Sequence, residues 1–126
     1  MHRSGRPSLT GIDWSGHRTT GSYSDSKLFV TTLAVAVARS WVDVFSNAVD
    51  PGWVPTKMGG PSAPDDLRLG HLTQGWLATS QDPDARTSGG YWHHQRRAEP
   101  HRSVRDRRFQ DQLLEELARF TATRLV

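Results

Sequence analysis

Segments with helical and strand-like patterns alternate along the chain, and this order constrains the fold more than any single motif. Apolar residues recur at three- and four-residue steps over residues 24–40, 65–79 and 105–124, which predicts three helices. The short, largely apolar run 42–49 predicts a buried strand, and the pair Tyr91-Trp92 predicts a second one. Such alternation is typical of α/β folds with a parallel sheet.

The number of predicted strands is small for a fold of this class. Two parallel strands do not cover three helices, and sheets usually contain roughly four to six strands. With 126 residues, 35% of them hydrophobic, the chain has room for one domain with a modest core. We therefore expect an incomplete α/β fold that looks like the second half of a larger unit.

Composition excludes several classes of protein. The chain has no cysteine, which excludes disulfides, cysteine-ligated zinc, iron–sulfur clusters and thiol catalysis. No apolar run approaches the length of a bilayer span, and residues 1–7 have no apolar stretch behind their charges. We expect a cytoplasmic protein without membrane contact.

The basic residues are concentrated near the C-terminus. The formal net charge is +3, and between Arg96 and Arg108 six arginines oppose two acidic residues. A segment of this kind can bind polyanions such as nucleic acids, but a solvated loop and helix face is the favoured interpretation. His93, His94 and His101 have no carboxylate at ligand spacing, so we expect no metal site.

The segment Gly21-Ser22-Tyr23-Ser24-Asp25-Ser26-Lys27 contains a tyrosine and a lysine four residues apart, which share one face of a helix. A lysine ammonium beside a phenol favours the phenolate, the form that accepts a proton. Tyr23 and Lys27 are thus candidates for acid–base chemistry, although such pairs also occur on helix surfaces without any function.

A second candidate segment follows the predicted strand 42–49. Pro51-Gly52 forms a turn where the strand ends, the edge at which ligands of open α/β sheets bind. Gly52 lets a ligand approach the backbone, and Thr56 offers a hydroxyl that donates and accepts. By itself, the segment also fits a plain strand-ending turn.

Together, in this order and spacing, the two segments resemble the C-terminal half of a short-chain dehydrogenase/reductase. Tyr23-x-x-x-Lys27 is similar to the active-site motif of that family, and residues 51–56 resemble its Pro-Gly-x-Val-x-Thr segment. Residues 76–80 and 88–92 resemble its late helix and last strand. The similarity covers residues 8–95 and is greatest to retinol-dehydrogenase-like and ketoreductase-like members.

The resemblance implies an oxidoreductase that transfers hydride between NAD(P)H and a small carbonyl or alcohol substrate. It implies the C-terminal part of a doubly wound, Rossmann-like parallel sheet, with a loop over 1–22, the active-site helix to the last strand over 23–95, and a basic segment with the last helix over 96–126. Tyr23 would be the general acid or base. Lys27 would bind the nicotinamide ribose and favour the phenolate. The first helix could support a homo-oligomer.

The resemblance also assigns residues to the cofactor and to a mobile loop. Pro51, Gly52 and Val54 would pack along the nicotinamide, and Thr56 would contact its carboxamide or the pyrophosphate. The loop from Lys57 to Asp66 would be a lid that excludes water. The residues expected to face substrate from this loop and from the turn before it are Trp53, Lys57 and Met58.

The sequence departs from the family pattern in ways that bear on activity. No glycine-rich turn opens a helix ahead of Tyr23, and no strand there carries the family's catalytic serine. We therefore expect a fragment, or a chain begun at an internal methionine, that binds NAD(P) weakly or not at all. Whether it is itself an enzyme stays open. The alternative is a non-catalytic remnant whose segment from His93 to Arg108 binds polyanions.

Overall fold

The computed structural model describes residues 2–125, which form three α-helices, three short strands and two 3-10 turns. The helices are α1 (Tyr23–Ser40), α2 (Leu69–Thr79) and α3 (Arg107–Thr121). The strands are β1 (Ala48–Asp50), β2 (Tyr91–His93) and β3 (Arg96–Ala98), and the 3-10 turns are His2–Ser4 and Arg102–Arg105. The expected α/β class is confirmed in this coarse form.

Helix α1 begins where its capping residues dictate. The Ser22 side chain accepts a hydrogen bond from the Asp25 amide at 3.1 Å, and the Asp25 carboxylate accepts one from the Ser22 amide at 2.8 Å. This reciprocal pair satisfies two amide donors that a helix start leaves unpaired. The predicted helix over 24–40 is therefore confirmed to within one residue, and Tyr23 stands in its first turn.

The three strands form one mixed sheet in the order β1-β2-β3. Strand β1 is parallel to β2, as the α/β pattern predicts, and β3 returns antiparallel to β2. The predicted strand 42–49 was too long and began too early, since only Ala48–Asp50 have a partner in β2. Residues 42–45 instead form an exposed turn, and β3 was not predicted.

Helix α2 starts four residues later than the predicted position 65. The two aspartates that suggested an earlier start are engaged in the loop. The Asp65 carboxylate accepts a hydrogen bond from the Trp53 amide, and Asp66 Oδ1 accepts one from the Arg68 amide at 2.7 Å. The acidic pair thus caps loop turns, and the helix begins at Leu69.

The hydrophobic core lies between α1, α3 and the turn Arg102–Arg105. Leu28 and Val104 are fully buried, and Phe109 is buried against them. Phe29 joins this cluster with its ring 6.2 Å from that of Phe109. Each fully buried aliphatic side chain contributes about 2 kcal/mol by leaving water. This packing fixes α1, and with it the face that carries Tyr23.

The N-terminal 3-10 turn contacts the residue that precedes the turn Arg102–Arg105. The His2 ring is buried, and its Nε2 accepts a hydrogen bond from the His101 amide at 2.9 Å. Burial lowers the pKa of His2, which keeps the ring neutral and able to accept. Gly5 follows closely against α1, where a Cβ would lie 2.5 Å from the Ser24 carbonyl oxygen.

Within residues 2–125, no helix has both the length and the apolar character that crossing a bilayer requires.

Candidate active site

A cavity of about 740 Å³ opens between the first half of α1, the end of β1 and the loop that follows β1. Residues of α1 line it at three- and four-residue steps, so one helix face forms one wall. The opposite wall is the strand end and its turn. The lining residues are His2, Tyr23, Lys27, Val30, Thr31, Ala34, Asn47, Ala48, Val49, Asp50, Pro51, Gly52, Trp53, Val54, Thr56, Met58, Gly59 and Tyr91.

Tyr23 and Lys27 stand on the same face of α1 and border this cavity. The Lys27 ammonium lies 5.2 Å from the centre of the Tyr23 ring, within the range of a cation–π contact. The Tyr23 side chain is half-exposed, so its hydroxyl is accessible to a ligand in the cavity. The pair thus presents a phenol and an ammonium side by side at the border of the cavity.

The turn after β1 is held in shape by two carboxylates. Gly52 has φ +84°, a backbone conformation that suits glycine, and a Cβ there would lie 2.7 Å from Asp65 Oδ2. The Gly52 amide donates to Asp50 Oδ1 at 3.0 Å, and the Trp53 amide donates to Asp65. Both amide donors of the turn are therefore occupied by side chains of the chain itself.

The loop beyond the turn folds back on its own start. The Trp53 indole donates to the Gly59 carbonyl at 2.8 Å, and the Gly59 amide donates to Thr56 Oγ1 at 3.1 Å. Trp53 and Met58 border the cavity and are largely exposed on its outer side, whereas Lys57 is exposed and lies outside the lining set. The loop thus forms a compact rim over one side of the cavity.

The structure brings together all but one of the residues singled out in the sequence. Those that line the cavity are Tyr23, Lys27, Pro51, Gly52, Trp53, Val54, Thr56 and Met58. Only Lys57 lies apart from them. One segment lies on a helix and the other follows the end of a strand. Because the helix and the strand pack side by side, the two segments face the same cavity.

Three cavity residues were missed by sequence reasoning, and two of them, Asp50 and Tyr91, are bonded to each other. The Tyr91 hydroxyl donates to Asp50 Oδ2 at 2.8 Å, although the two residues are 41 positions apart. Burial raises the pKa of Tyr91, and the bond to Asp50 raises it further. Burial also acts to raise the pKa of Asp50, but the bonds from the Gly52 amide and Tyr91 outweigh it and lower that pKa overall. Asp50 is therefore ionised at neutral pH.

Asn47 was also missed, and it ties the sheet together below the cavity. Its Oδ1 accepts from the Gly90 amide at 2.8 Å and from the Trp92 indole at 3.2 Å, while its amide donates to the Thr87 carbonyl at 2.8 Å. These bonds hold the start of β2 against β1. An asparagine just ahead of a predicted strand end was the signal available in the sequence.

The basic segment is built into the fold. Val104 lies in the core, Arg105 pairs with Glu99 at 3.4 Å, and the Arg97 guanidinium lies 5.9 Å from the centre of the Trp92 ring. In the part of the chain that the structure describes, no three potential ligands among histidine, aspartate and glutamate are grouped as a metal site requires. Binding of polyanions stays a prediction.

Comparison with known proteins identifies relatives of one kind. The chain is 31% identical to short-chain dehydrogenase chry4 of Gibberella zeae over 99% of its own length and 50% of that protein. It is 33% identical to short-chain dehydrogenase chyC of Penicillium rubens over 73% of the chain and 37% of that protein. It is 38% identical to carbonyl reductase [NADPH] 1 of Sus scrofa over 49% of the chain and 25% of that protein.

These similarities confirm the resemblance that the motifs predict. The chain spans about half the length of the first of these relatives and less of the others. No protein-family model matches the chain. No solved structure matches it either.

Proposed function

We propose that this chain, which is similar to short-chain dehydrogenases along nearly its whole length, forms the proton-transfer and nicotinamide-side part of an NAD(P)-dependent oxidoreductase. The reaction would move a hydride between NAD(P)H and a small carbonyl or alcohol substrate. One observation carries the proposal: the Tyr23–Lys27 pair and the Pro51–Thr56 segment, 24 or more residues apart in sequence, line the same cavity.

The chemistry of the lining residues suits a nicotinamide riboside. Val30, Val49 and Val54 give the cavity apolar surfaces against which a flat ring can pack. Lys27 and Thr56 add donors at its edge, as a ribose and a carboxamide require. The bound cofactor would supply the hydride, and the protein would position it and manage the proton.

In this proposal Tyr23 donates its hydroxyl proton to the carbonyl oxygen of the substrate, or accepts the proton of an alcohol in the reverse direction. Lys27 holds the ribose and stabilises the charge on the phenol oxygen that remains after donation. The loop that carries Trp53 and Met58 covers the substrate and limits the access of water. Lys57, the third residue expected to face substrate, does not line the cavity and therefore has the least support.

We also propose that residues outside this chain complete the cofactor site and the doubly wound sheet. The chain would then be the C-terminal half of the domain, with a loop over 1–22, the active-site part over 23–95, and the basic segment with α3 over 96–126. The twofold length of short-chain dehydrogenase chry4 supports the part of this proposal that makes the chain about half of a domain. The NAD or NADP preference would be decided by the adenine side of the site.

The proposal can be tested on this chain by using only half of the cofactor as the probe. Reduced nicotinamide mononucleotide should perturb backbone amide resonances of residues around the cavity, with a dissociation constant on the order of 1 mM, about 4 kcal/mol of binding. Adenosine monophosphate at the same concentration should leave those resonances unchanged.

A matched pair of variants makes the test specific to the cavity. Thr56→Val removes a hydroxyl from the lining and should weaken binding of the mononucleotide several-fold, because the carboxamide of the nicotinamide and the Gly59 amide would both lose a partner. Thr19→Val removes a hydroxyl from an exposed position outside the lining and should leave binding unchanged. Equal perturbation by the two nucleotides, or none by either at 10 mM or so, would contradict the proposed function.

A further inference from the structure

We propose that Tyr91 is a positioning residue, which holds Asp50 against the Gly52 amide and so sets the shape of the cavity wall opposite Tyr23. The inference rests on the proposed function, because that wall is the one expected to meet the nicotinamide. Neither Tyr91 nor Asp50 would touch the reacting atoms. Their effect would pass through the turn at Pro51–Gly52.

The contacts form an unbroken series from one strand to the turn. The Tyr91 hydroxyl donates to Asp50 Oδ2 at 2.8 Å, and Asp50 Oδ1 accepts from the Gly52 amide at 3.0 Å. The register of the sheet explains how Tyr91 reaches so far. Tyr91 lies opposite Ala48. Asp50 is two positions further along β1, so the side chains of Tyr91 and Asp50 project from the same face of the sheet.

Tyr91 is itself held firmly. Only 6% of it is exposed, and its ring packs at 4.5 Å from the His2 ring, which in turn accepts a bond from the His101 amide. A buried ring fixed on one side by His2 has little rotational freedom. Its hydroxyl therefore arrives at Asp50 in one orientation, which is what a positioning group needs.

The Asp50 carboxylate matters because the turn depends on it. Gly52 has φ +84°, and its amide would otherwise be a free donor beside the cavity. With Asp50 on the Gly52 amide and Asp65 on the Trp53 amide, the two donors face carboxylates and the turn presents Pro51 and Val54 to the cavity.

The charged and titratable groups around Asp50 come from two neighbouring elements. His2, in the N-terminal 3-10 turn, interacts electrostatically with Asp50, as do Tyr91 and His93 in β2. Arg3, in the same 3-10 turn, interacts with Tyr91. His93 Nδ1 lies 3.2 Å from the Asp50 carbonyl oxygen, and its positive form would favour the ionised carboxylate. The pKa of Asp50 lies below its usual value, so Asp50 should stay ionised and hydrogen-bonded to the Gly52 amide at neutral and mildly acidic pH.

The test follows the Gly52 amide by nuclear magnetic resonance in the whole chain and in Tyr91→Phe. The variant keeps the ring and loses only the hydroxyl. We expect amide exchange at Gly52 to become about tenfold faster, because Asp50 loses its second anchor. We also expect the pH at which the Gly52 resonance responds to Asp50 protonation to move upward. Unchanged exchange and an unchanged midpoint at Gly52 would overturn the inference.

Two further variants keep the test decisive. Tyr23→Phe makes the same chemical change in the other tyrosine, which has no bond to Asp50, and should leave Gly52 exchange as it is. Asp50→Asn keeps the shape of the side chain and should abolish the pH response of the Gly52 resonance. If Tyr91→Phe unfolds, the hydroxyl proton of Tyr91 in the unmodified chain decides: a slowly exchanging hydroxyl resonance supports the bond to Asp50, and a hydroxyl that exchanges freely with water overturns the inference.

Adding reduced nicotinamide mononucleotide separates this inference from the proposed function. If Tyr91→Phe changes Gly52 exchange and also raises the dissociation constant about three- to tenfold, both stand. If Gly52 exchange changes but the mononucleotide perturbs no cavity residue even in the unmodified chain, the proposed function fails and the Tyr91–Asp50 pair remains. If the mononucleotide binds equally well to both chains, Tyr91 has no positioning role.

Discussion

Removing the Asp25 carboxylate should cost the protein a large part of its stability. Asp25 is 4% exposed and stands in the first turn of α1, between Tyr23 and Lys27. Its Oδ1 accepts from the Arg6 amide at 2.6 Å, and its Oδ2 accepts from the Ser22 amide at 2.8 Å. One side chain thus joins the N-terminal segment to the start of the helix.

The magnitude follows from what Asp25→Ala leaves behind. Two amide donors lose a charged acceptor in a partly buried place, each bond being worth about 1.5–3 kcal/mol before water replaces some of it. Loss of the capping box alone costs about 1 kcal/mol. We expect a decrease of about 2–4 kcal/mol in the free energy of unfolding, and a smaller decrease for Asp25→Asn, which keeps one oxygen.

Urea denaturation followed by far-ultraviolet circular dichroism measures this free energy, and Asp43→Ala provides the control. Asp43 is exposed in the turn after α1, so its loss should change stability by less than about 0.5 kcal/mol. Equal effects of the Asp25 and Asp43 substitutions would refute the reasoning.

The difference in the free energy of unfolding between the unmodified chain and Asp25→Ala should depend on pH, which gives a second check. The bonds from the Arg6 and Ser22 amides lower the pKa of Asp25 below its ordinary value of 3.8. A carboxyl group whose pKa is lower in the folded chain than in the unfolded chain stabilises the fold at pH values above its unfolded pKa. That stabilisation disappears as the pH falls through the folded pKa. The gap between the unmodified chain and Asp25→Ala should therefore be constant from pH 7 to about 4 and narrow below it. A gap that does not change with pH would also refute the reasoning.

Two further predictions concern the hairpin and the core. His94 and Gln95 form the two-residue turn between β2 and β3 with φ of 48° and 58°, where glycine is favoured, so Gln95→Gly should raise the free energy of unfolding by about 1 kcal/mol. The bond from the residue 95 amide to Thr73 is retained, and a loss of stability in urea denaturation would contradict this account. Leu28→Ala should cost about 2–5 kcal/mol because Leu28 is fully buried, whereas Val42→Ala, at a site 84% exposed, should cost under about 0.5 kcal/mol in the same assay.

The helices were largely predictable because their signals are local. Ser22 caps α1, and its apolar spacing continues without glycine or proline, so both ends follow from nearby residues. The start of α2 was mispredicted because Asp65 resembles a residue of a helix first turn. Only the folded chain reveals that the Trp53 amide, 12 positions away, occupies its carboxylate.

The sheet was less predictable, since a strand is defined by its partner. Val44 and Phe45 have the composition of a strand but no partner in the described chain opposite them, and they lie exposed in a turn. Conversely, Arg96 and Arg97 pair with β2 although both are charged, which leaves no apolar pattern to recognise. The turn between them and β2 uses histidine and glutamine where Asn-Gly would have been the signal.

Some residues of the candidate site were predictable from local sequence, and others were not. Tyr23 and Lys27 were found through their spacing, and the Pro51–Gly52 turn through its position at a strand end. Asp50 and Tyr91 carry no signal of their own, because neither belongs to a recognisable spacing and their bond exists only once β1 and β2 are paired. The catalytic role of Tyr23 and Lys27 stays a prediction.

The bond between His2 and His101 also bears on the order in which this molecule takes shape during synthesis. The two residues are 99 positions apart, so the ribosome releases His2 long before its partner exists. Contacts of such long separation form late, because a large loop has to close first. Until then the His2 ring, which packs against Tyr91, lacks the hydrogen bond that fixes its Nε2. A newly made chain would therefore form its helices early and fix the part of the cavity wall that contains Tyr91 last.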